Sequence, residues 1–489
     1  MKIIKNYLYN VSYQLMAMLL PLVTTPYVVR VLGAAGSGQY EYSVSINQYF
    51  SLFALLGVLL YGNREIARST KLKDRTERFT EIYIFQFLTA LTSLIVYLLF
   101  VTFFVKENQM LFYILSLNIV ANMVDISWFF MGLELFKKTV SRNMMTKIIG
   151  TICIFVFVKE KSDLGLYAFI LAASMLLGQL VMWTQVAQEL DWQNMKSIVA
   201  KTIKEKRFLR HISGLLVLFI PQLAIQIFTS VDKIILGQVS TNAEVGFYSN
   251  ANKIARMLMT IATSLGLVML PRMSKEIALG NTEKVDWYLA KSMSFMTFVS
   301  IPLMFGIAGI SRTFVPIFFG QEFMKVVILL PIMSIIIFTI SANNVMGTQY
   351  MIPMGKNREY TISVILAAIV SISANVFFVV FLNLESLGSA ISSVLAEITL
   401  VTAFAFFIKD KMHLFLTKEV LKSFIAGFVM CAVVYMISLF ATPSIKLLAF
   451  EIAVGALIYA LLMILLKSKV LGEMLSLVGG MRKRKQKND

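Results

Sequence analysis

The sequence predicts an all-α polytopic membrane protein. Three observations carry that class. Apolar runs close to the roughly 20 residues that span a bilayer recur along the whole chain. Charged residues make up 15% of the 489, against about 25% in soluble domains. Lysine and arginine concentrate in alternate connecting segments, as topology-setting charge does.

Taken in order, fourteen segments qualify. The first six are Tyr7–Val31, Gln39–Tyr61, Glu81–Val105, Met110–Leu133, Val140–Val158 and Leu164–Gln188. A polar stretch separates these from Ile212–Gln238, Gly246–Pro271, Tyr288–Ser311, Val326–Ile352, Tyr360–Leu382 and Ser386–Ile408. Val420–Phe440 and Ile445–Leu466 close the set, and a basic tail with Arg482, Lys483, Arg484 and Lys485 ends the chain. No polar stretch is long enough for a soluble domain.

Charge placement tests the count. With the N-terminus in the cytoplasm, 35 of the 45 Lys and Arg fall in inside segments and 7 in outside ones. The other three, Lys233, Lys253 and Arg256, lie within spans. One missed span would invert every later loop, so fourteen transmembrane helices with N and C termini cytoplasmic are expected. The net charge of +18 then reads as topology-setting charge, not as a nucleic-acid footprint. Cys153 and Cys431 fall in apolar spans without metal-ligand spacing, so neither a disulfide nor a metal is expected. Tyr7–Val31 is too long for a signal core and lacks a small-residue cleavage site, so it should stay as the first span. The four tryptophans, Trp128, Trp183, Trp192 and Trp287, fall near span ends and read mostly as interfacial anchors.

The chain also echoes itself. Arg30-Val31-Leu32-Gly33 ends span one and Gly38-Gln39-Tyr40 opens span two. Lys233-Ile234-Ile235-Leu236-Gly237 ends span seven and Gly246-Phe247-Tyr248 opens span eight. Prolines precede both, Pro21 and Pro26 in one and Pro221 in the other. A repeat of six spans keeps both halves in one orientation, which predicts two parallel six-helix lobes plus two extra C-terminal helices. The expected divisions are 1–190 for the N-terminal lobe, 191–211 for a cytoplasmic linker and 212–409 for the C-terminal lobe. Spans thirteen and fourteen then occupy 410–467, and 468–489 forms the tail. Matched proline-interrupted helices point to a transporter's binding site, because freed carbonyls need a neighbour or water.

Asp232, Lys233, Lys253 and Arg256 concentrate the chemistry. Each charge at a span centre costs roughly 2.5–3.5 kcal/mol, so a binding role is the default reading. Asp232 and Lys253 lie at similar depth from the outer side, which suits an ion pair with Arg256 deeper. Lys253 and Arg256 share a helix face, and Asn252 extends the polar run. The group sums to a net positive charge, which suits an anion, and a guanidinium matches phosphate bidentately. A buried ion-pair network joining spans seven and eight is the structural alternative. The matching register of span two holds Ser45 and Gln48, neutral polar groups, with Arg30 and Glu41 flanking the turn before it. Asp125 in span four and Glu397 in span twelve are deep acids that could carry a coupling proton or sodium ion, with Glu41 a further candidate.

Several classes are excluded. Gly355-Lys356 is followed by Asn357, with Tyr350 where a P-loop needs its first glycine, so ATP hydrolysis is not expected. The two histidines, His211 and His413, fall in cytoplasmic loops, and no dinucleotide fingerprint or extramembrane catalytic domain is visible. No cofactor is implied beyond H+ or Na+ as coupling ions.

With those residues in view, the chain resembles bacterial polysaccharide flippases of the multidrug/oligosaccharidyl-lipid/polysaccharide exporter superfamily. The resemblance rests on Asn10-Val11-Ser12-Tyr13-Gln14, Thr24-Thr25-Pro26-Tyr27 and Arg30-Val31-Leu32-Gly33. Asp232-Lys233-Ile234-Ile235-Leu236-Gly237, Gly246-Phe247-Tyr248 and Leu270-Pro271-Arg272 extend it. It implies spans one to six facing spans seven to twelve, with the last two spans outside. It further implies a flippase for undecaprenyl-pyrophosphate-linked oligosaccharide, feeding capsule or another surface polysaccharide from the cytoplasmic membrane, and not an enzyme. The polysaccharide polymerase and chain-length machinery would be partners, with the lipid-linked oligosaccharide as substrate and no nucleic acid. Two alternatives stay open: a cation-coupled multidrug exporter, which would favour an acidic cavity, and a membrane polysaccharide polymerase or ligase, which would need a larger outer loop than Arg312 to Lys325.

Overall fold

The computed structural model describes residues 2–415 and 417–472, so the basic tail around Arg482 to Lys485 lies outside the described residues. Among them are α-helices, short 3-10 turns and two π-helical stretches, with no strand. In chain order the first helices are α1 (Lys2–Leu55), α2 (Val58–Ala67), α3 (Leu72–Phe104), α4 (Gln109–Met123), α5 (Ser127–Gly132), α6 (Phe136–Phe157), α7 (Leu164–Val186) and α8 (Met195–Lys204). They continue as α9 (Ile212–Val239), α10 (Asn242–Ala278), α11 (Thr282–Phe318), α12 (Val326–Asn343), α13 (Asn357–Asn375), α14 (Glu385–Phe407), α15 (Lys418–Phe440) and α16 (Ile445–Leu465).

Twelve helices of the described residues are long and apolar enough to cross a membrane. A thirteenth is added if Asn242–Ser264 and Met269–Ala278, bent by 47°, form one span. The first two expected spans merge in α1, which turns at Gly33 with φ 72 and ψ 178. A side chain is strained at that positive φ, so glycine is the residue that lets the chain turn there. The fourth expected span breaks between α4 and α5, and α12 and α13 continue as π-helical stretches over Asn344–Met351 and Val376–Phe381.

The chain divides into two compact units, Met1–Gly237 with Thr241–Gly246, and Gln238–Ser240 with Phe247–Asp489. The first unit has an aromatic core in which Phe79 stacks on Tyr83 at 5.7 Å and meets the edge of Phe129 at 4.9 Å. Trp128 is fully buried in that core and donates from Nε1 to Gln86 Oε1 at 2.9 Å, so it is no interfacial anchor. The indole needs a partner once buried, and Gln86 supplies it. The second unit packs Met430, Val434, Tyr459 and Met463 against Phe298 and Phe305. Large apolar side chains also face outward, Phe104 at 75% and Phe440 at 84% exposure. An apolar exterior of this kind suits hydrocarbon as solvent.

The two glycines of the repeated motif meet in the first unit. A Cβ on Gly38 would fall 1.6 Å from the Asn242 carbonyl oxygen and 2.5 Å from the Gly246 nitrogen. A Cβ on Gly246 would fall 2.2 Å from the Ala34 carbonyl oxygen. Ala34 precedes Gly38 by one turn, and Asn242 precedes Gly246 by one turn, so each helix offers the other the same surface. Backbones approach this closely in membranes only where both residues are small. Gly38→Ala and Gly246→Ala should each destabilise the purified protein by about 1–3 kcal/mol, read as a melting midpoint several degrees lower. Gly165→Ala, whose Cβ meets Ile114 at an ordinary 3.6 Å, should melt like the wild type. A Gly38→Ala protein as stable as that control would refute the close crossing.

Candidate substrate site

Within the first unit, α9 runs antiparallel along the second half of α1. Phe219 meets Phe53 at 5.3 Å between ring centres, Gln226 donates to Gln48 at 3.1 Å, and Lys233 meets Glu41 at 2.6 Å. The Lys233–Glu41 ion pair joins a residue expected to hold substrate with one expected to couple ions. Both side chains are largely buried, so each offsets part of the other's penalty for leaving water. Gln48 also accepts from Ser230 at 3.3 Å and is itself exposed. Ser45 turns its hydroxyl back onto the Glu41 carbonyl at 2.7 Å and is buried. Asp232 is buried, with the Tyr49 phenol in its electrostatic field. Arg30 is exposed on α1.

Asp125 occupies the break between α4 and α5, where its Oδ1 accepts from the Ser127 amide at 2.7 Å. The break frees carbonyls that hydrocarbon cannot satisfy. Gln86 Nε2 donates to the Asn122 and Asp125 carbonyls at 2.7 and 2.8 Å, and Trp183 Nε1 donates to that of Val124 at 2.8 Å. Sequence reasoning missed a cation near this acid. Arg142 was counted with the loop charges, yet it is buried, donating to the Gly178 carbonyl at 3.2 Å and to Gln179, and its field reaches Asp125. Its position two residues inside the fifth apolar segment was the available signal. Arg142, Asn143, Lys147, Thr24 and Pro21 line a cavity of about 360 Å³ between α1, α6 and α7.

A charged cluster near the ends of α2, α3 and α9 was also read too simply. His211 is buried, not a loop residue, and its Nε2 lies 2.9 Å from Glu81 Oε2 while its Nδ1 lies 2.8 Å from the Tyr61 hydroxyl. Arg210 completes the Glu81 cluster with a hydrogen bond from Nε at 2.8 Å, and Arg78 pairs with Glu65 beside it.

The second unit holds the remaining candidates. Tyr248 on α10 lies 2.6 Å from Ser393 on α14, and Ser240 lies 3.5 Å from Glu385 at the start of that helix. Both contacts advance in the same sense, so α10 and α14 run parallel. Arg256 lies two turns beyond Tyr248 and Glu397 one turn beyond Ser393, and Arg256's field reaches the Glu397 carboxylate. Arg256 Nε donates to Asn252 Oδ1 at 2.9 Å, and Asn343 Nδ2 donates to Glu397 Oε2 at 2.9 Å. Lys253 is half-buried on α10. Glu451 on α16 is a further deep acid that sequence reasoning passed over, fully buried with its Oε1 accepting from Thr313 at 2.9 Å. Among the described residues, no group of three or more His, Cys, Asp or Glu side chains could hold a metal ion.

Apolar helices throughout, with paired charges and capped breaks inside them, define a multi-pass membrane protein. Its fold is that of known membrane transporters. The lipid II flippase MurJ in an inward closed conformation superposes with a TM-score of 0.71 at 13% identity, covering 95% of this chain and 99% of that one. An inward-facing multidrug resistance MATE family transporter of the MOP superfamily gives 0.58 at 13% identity, covering 82% and 96%. The family described as "Polysaccharide biosynthesis protein" matches residues 3–276, and the chain belongs to it. A relative named "Putative O-antigen transporter" from Escherichia coli (strain K12) is 24% identical over 413 residues, 83% of this chain and 96% of its own length. A protein of the same name from Shigella dysenteriae is 23% identical over 357 residues, covering 72% and 87%.

Two stability tests follow from the buried polar groups. Gln86→Leu should cost about 3–9 kcal/mol, because two carbonyls and the Trp128 indole lose their partner at roughly 1–3 kcal/mol each, and the folded yield on size exclusion should fall sharply. Lys233→Gln alone should destabilise more than Lys233→Gln with Glu41→Gln, since the single variant strands a carboxylate. A double variant whose loss equals the sum of the two single losses would show that the pair is not coupled.

Proposed function

We propose that this protein flips undecaprenyl-pyrophosphate-linked oligosaccharide repeat units across the cytoplasmic membrane for capsule or another surface polysaccharide. The observation that carries the reading is a basic group in the membrane, Arg256, in a chain of the polysaccharide biosynthesis protein family. The relatives named as O-antigen transporters and the likeness to the lipid II flippase support the same cargo class. Lys233, Lys253 and Arg256 hold the pyrophosphate, because ammonium and guanidinium groups recognise phosphate oxygens by charge-assisted hydrogen bonds. Asp232 tunes their position, while Arg30, Ser45, Gln48 and Asn252 contact the polar head of the substrate. The polyprenyl tail stays in lipid.

The topology in this reading has fourteen spans with both termini cytoplasmic. Support comes from the length of α1. Its 54 residues would run about 81 Å if straight, far beyond the ~30 Å of a hydrocarbon core, so two spans meeting at Gly33 fit it better than one. The spans form lobes at 1–190 and 212–409 with the linker 191–211 between them, 410–467 alongside and the tail from 468. Rocking of the lobes exposes the site on alternate sides. An inside-negative potential favours outward movement of an anion by about 2.3 kcal/mol per charge per 100 mV. Asp125, Glu397 and Glu41 are the candidates for coupling H+ or Na+. A polysaccharide polymerase with its chain-length machinery receives the product outside. A multidrug exporter is disfavoured because Asp232, Lys233, Lys253 and Arg256 sum to a net positive charge, where such an exporter would favour an acidic cavity.

Replacing Arg256 and Lys253 with alanine in the native host tests this directly. Surface polymer should fall at least tenfold, with lipid-linked intermediate accumulating on the cytoplasmic leaflet. Normal surface polymer with both cations gone would sink the assignment.

A further inference from the structure

Arg256 was expected to hold substrate and Glu397 to carry a coupling ion, as separate roles. The structure places them on two helices in contact, α10 and α14, which Tyr248 and Ser393 join at 2.6 Å. Glu397 is buried, and Arg256 is the cation whose field reaches it. Yet the two do not close into a hydrogen bond. Arg256 spends its Nε on Asn252, and among the described residues its two Nη groups enter no hydrogen bond. Glu397 is held instead by the neutral Nδ2 of Asn343, at the point where α12 passes into the π-helical stretch Asn344–Met351. Asn343 is itself buried, with its Oδ1 unpartnered. Such π-helical departures are frequent at functional sites.

A guanidinium facing no anion in hydrocarbon is costly, and one tightly paired with a carboxylate is closed to other anions. An acid held one step away meets both demands: it compensates the charge without occupying the fork. We propose that Glu397 is the resident counter-anion of Arg256, held off by Asn343, and that the substrate's phosphate must outcompete it to bind. This rests on the reading of Arg256 as a phosphate holder. Glu397 is then a positioning residue that sets how readily the site accepts and releases its anion. Tight substrate binding is not the optimum for a carrier that must also let go, and a competing internal anion weakens binding in both orientations.

The test uses the full chain in lipid nanodiscs, titrated calorimetrically with inorganic pyrophosphate. Arg256→Gln should weaken binding strongly. Glu397→Gln, which keeps the shape and removes the charge, should tighten it by roughly tenfold, the scale of one charge interaction of modest strength. Asn343→Leu should weaken it, since Glu397 is then free to close on Arg256, and adding Glu397→Gln to that variant should abolish the weakening. A merely structural role would make every variant bind worse. If Arg256→Gln weakens binding but Glu397→Gln leaves it unchanged or weaker, the counter-anion proposal is overturned while the phosphate reading stands. If Arg256→Gln binds like the wild type, or the wild type binds no pyrophosphate, the phosphate reading fails and the proposal with it. Should Glu397→Gln not fold, Asn343→Leu still decides, because binding equal to or tighter than wild type would refute the held-off acid.

Discussion

Hydrocarbon offers no hydrogen bonds, and the rest of this structure follows from that fact. Every backbone group within the spans must find a partner inside the protein, and every charge must find compensation. The break at Asp125 exists because Gln86 and Trp183 take over the carbonyls it frees. Lys233 stays in its helix because Glu41 faces it on the neighbouring one. Arg142 is tolerated through an amide, a carbonyl and a nearby acid. These polar groups are thus parts of pairs and networks, and replacing one member alone exposes the other.

The same constraint explains how much of the structure was legible. Span positions could be read from composition because a bilayer demands about twenty apolar residues in a row. The repeated glycines could be read as a repeat, since the residues before them recur, although nothing in one dimension says that Gly38 and Gly246 touch. Partnerships were much less visible. Lys233 and Glu41 stand 192 residues apart, and no local pattern joins them. Arg142 was hidden by neighbours: Lys137, Lys138 and Lys147 made it look like loop charge. Glu451 was hidden by isolation, one acid among twenty apolar residues with its partner Thr313 on α11. Trp128 was misread because tryptophan's usual place at the membrane surface gave no hint of Gln86.

Candidate site residues fall into two kinds once their surroundings are known. Ser45 turns its hydroxyl onto its own helix and is buried, whereas Gln48 is exposed and linked to Gln226 and Ser230. Residues of the second kind sit on a hydrogen-bond network that can be rearranged without breaking a helix. Residues of the first kind hold the helix they belong to. In the second unit Asn252 is of the first kind, buried and steadying the guanidinium of Arg256 one turn on in the same helix.

The crossing of Gly38 with Gly246 carries a consequence for how such a protein can diversify. The contact consists of main chain on both sides, so it holds no chemical information about any cargo. Side chains a turn away can change to suit a new sugar without disturbing it, and it cannot itself be altered to help them. Anyone building hybrids from two related proteins therefore has a natural joint here: a seam that fits whatever the flanking residues recognise, provided both glycines are kept.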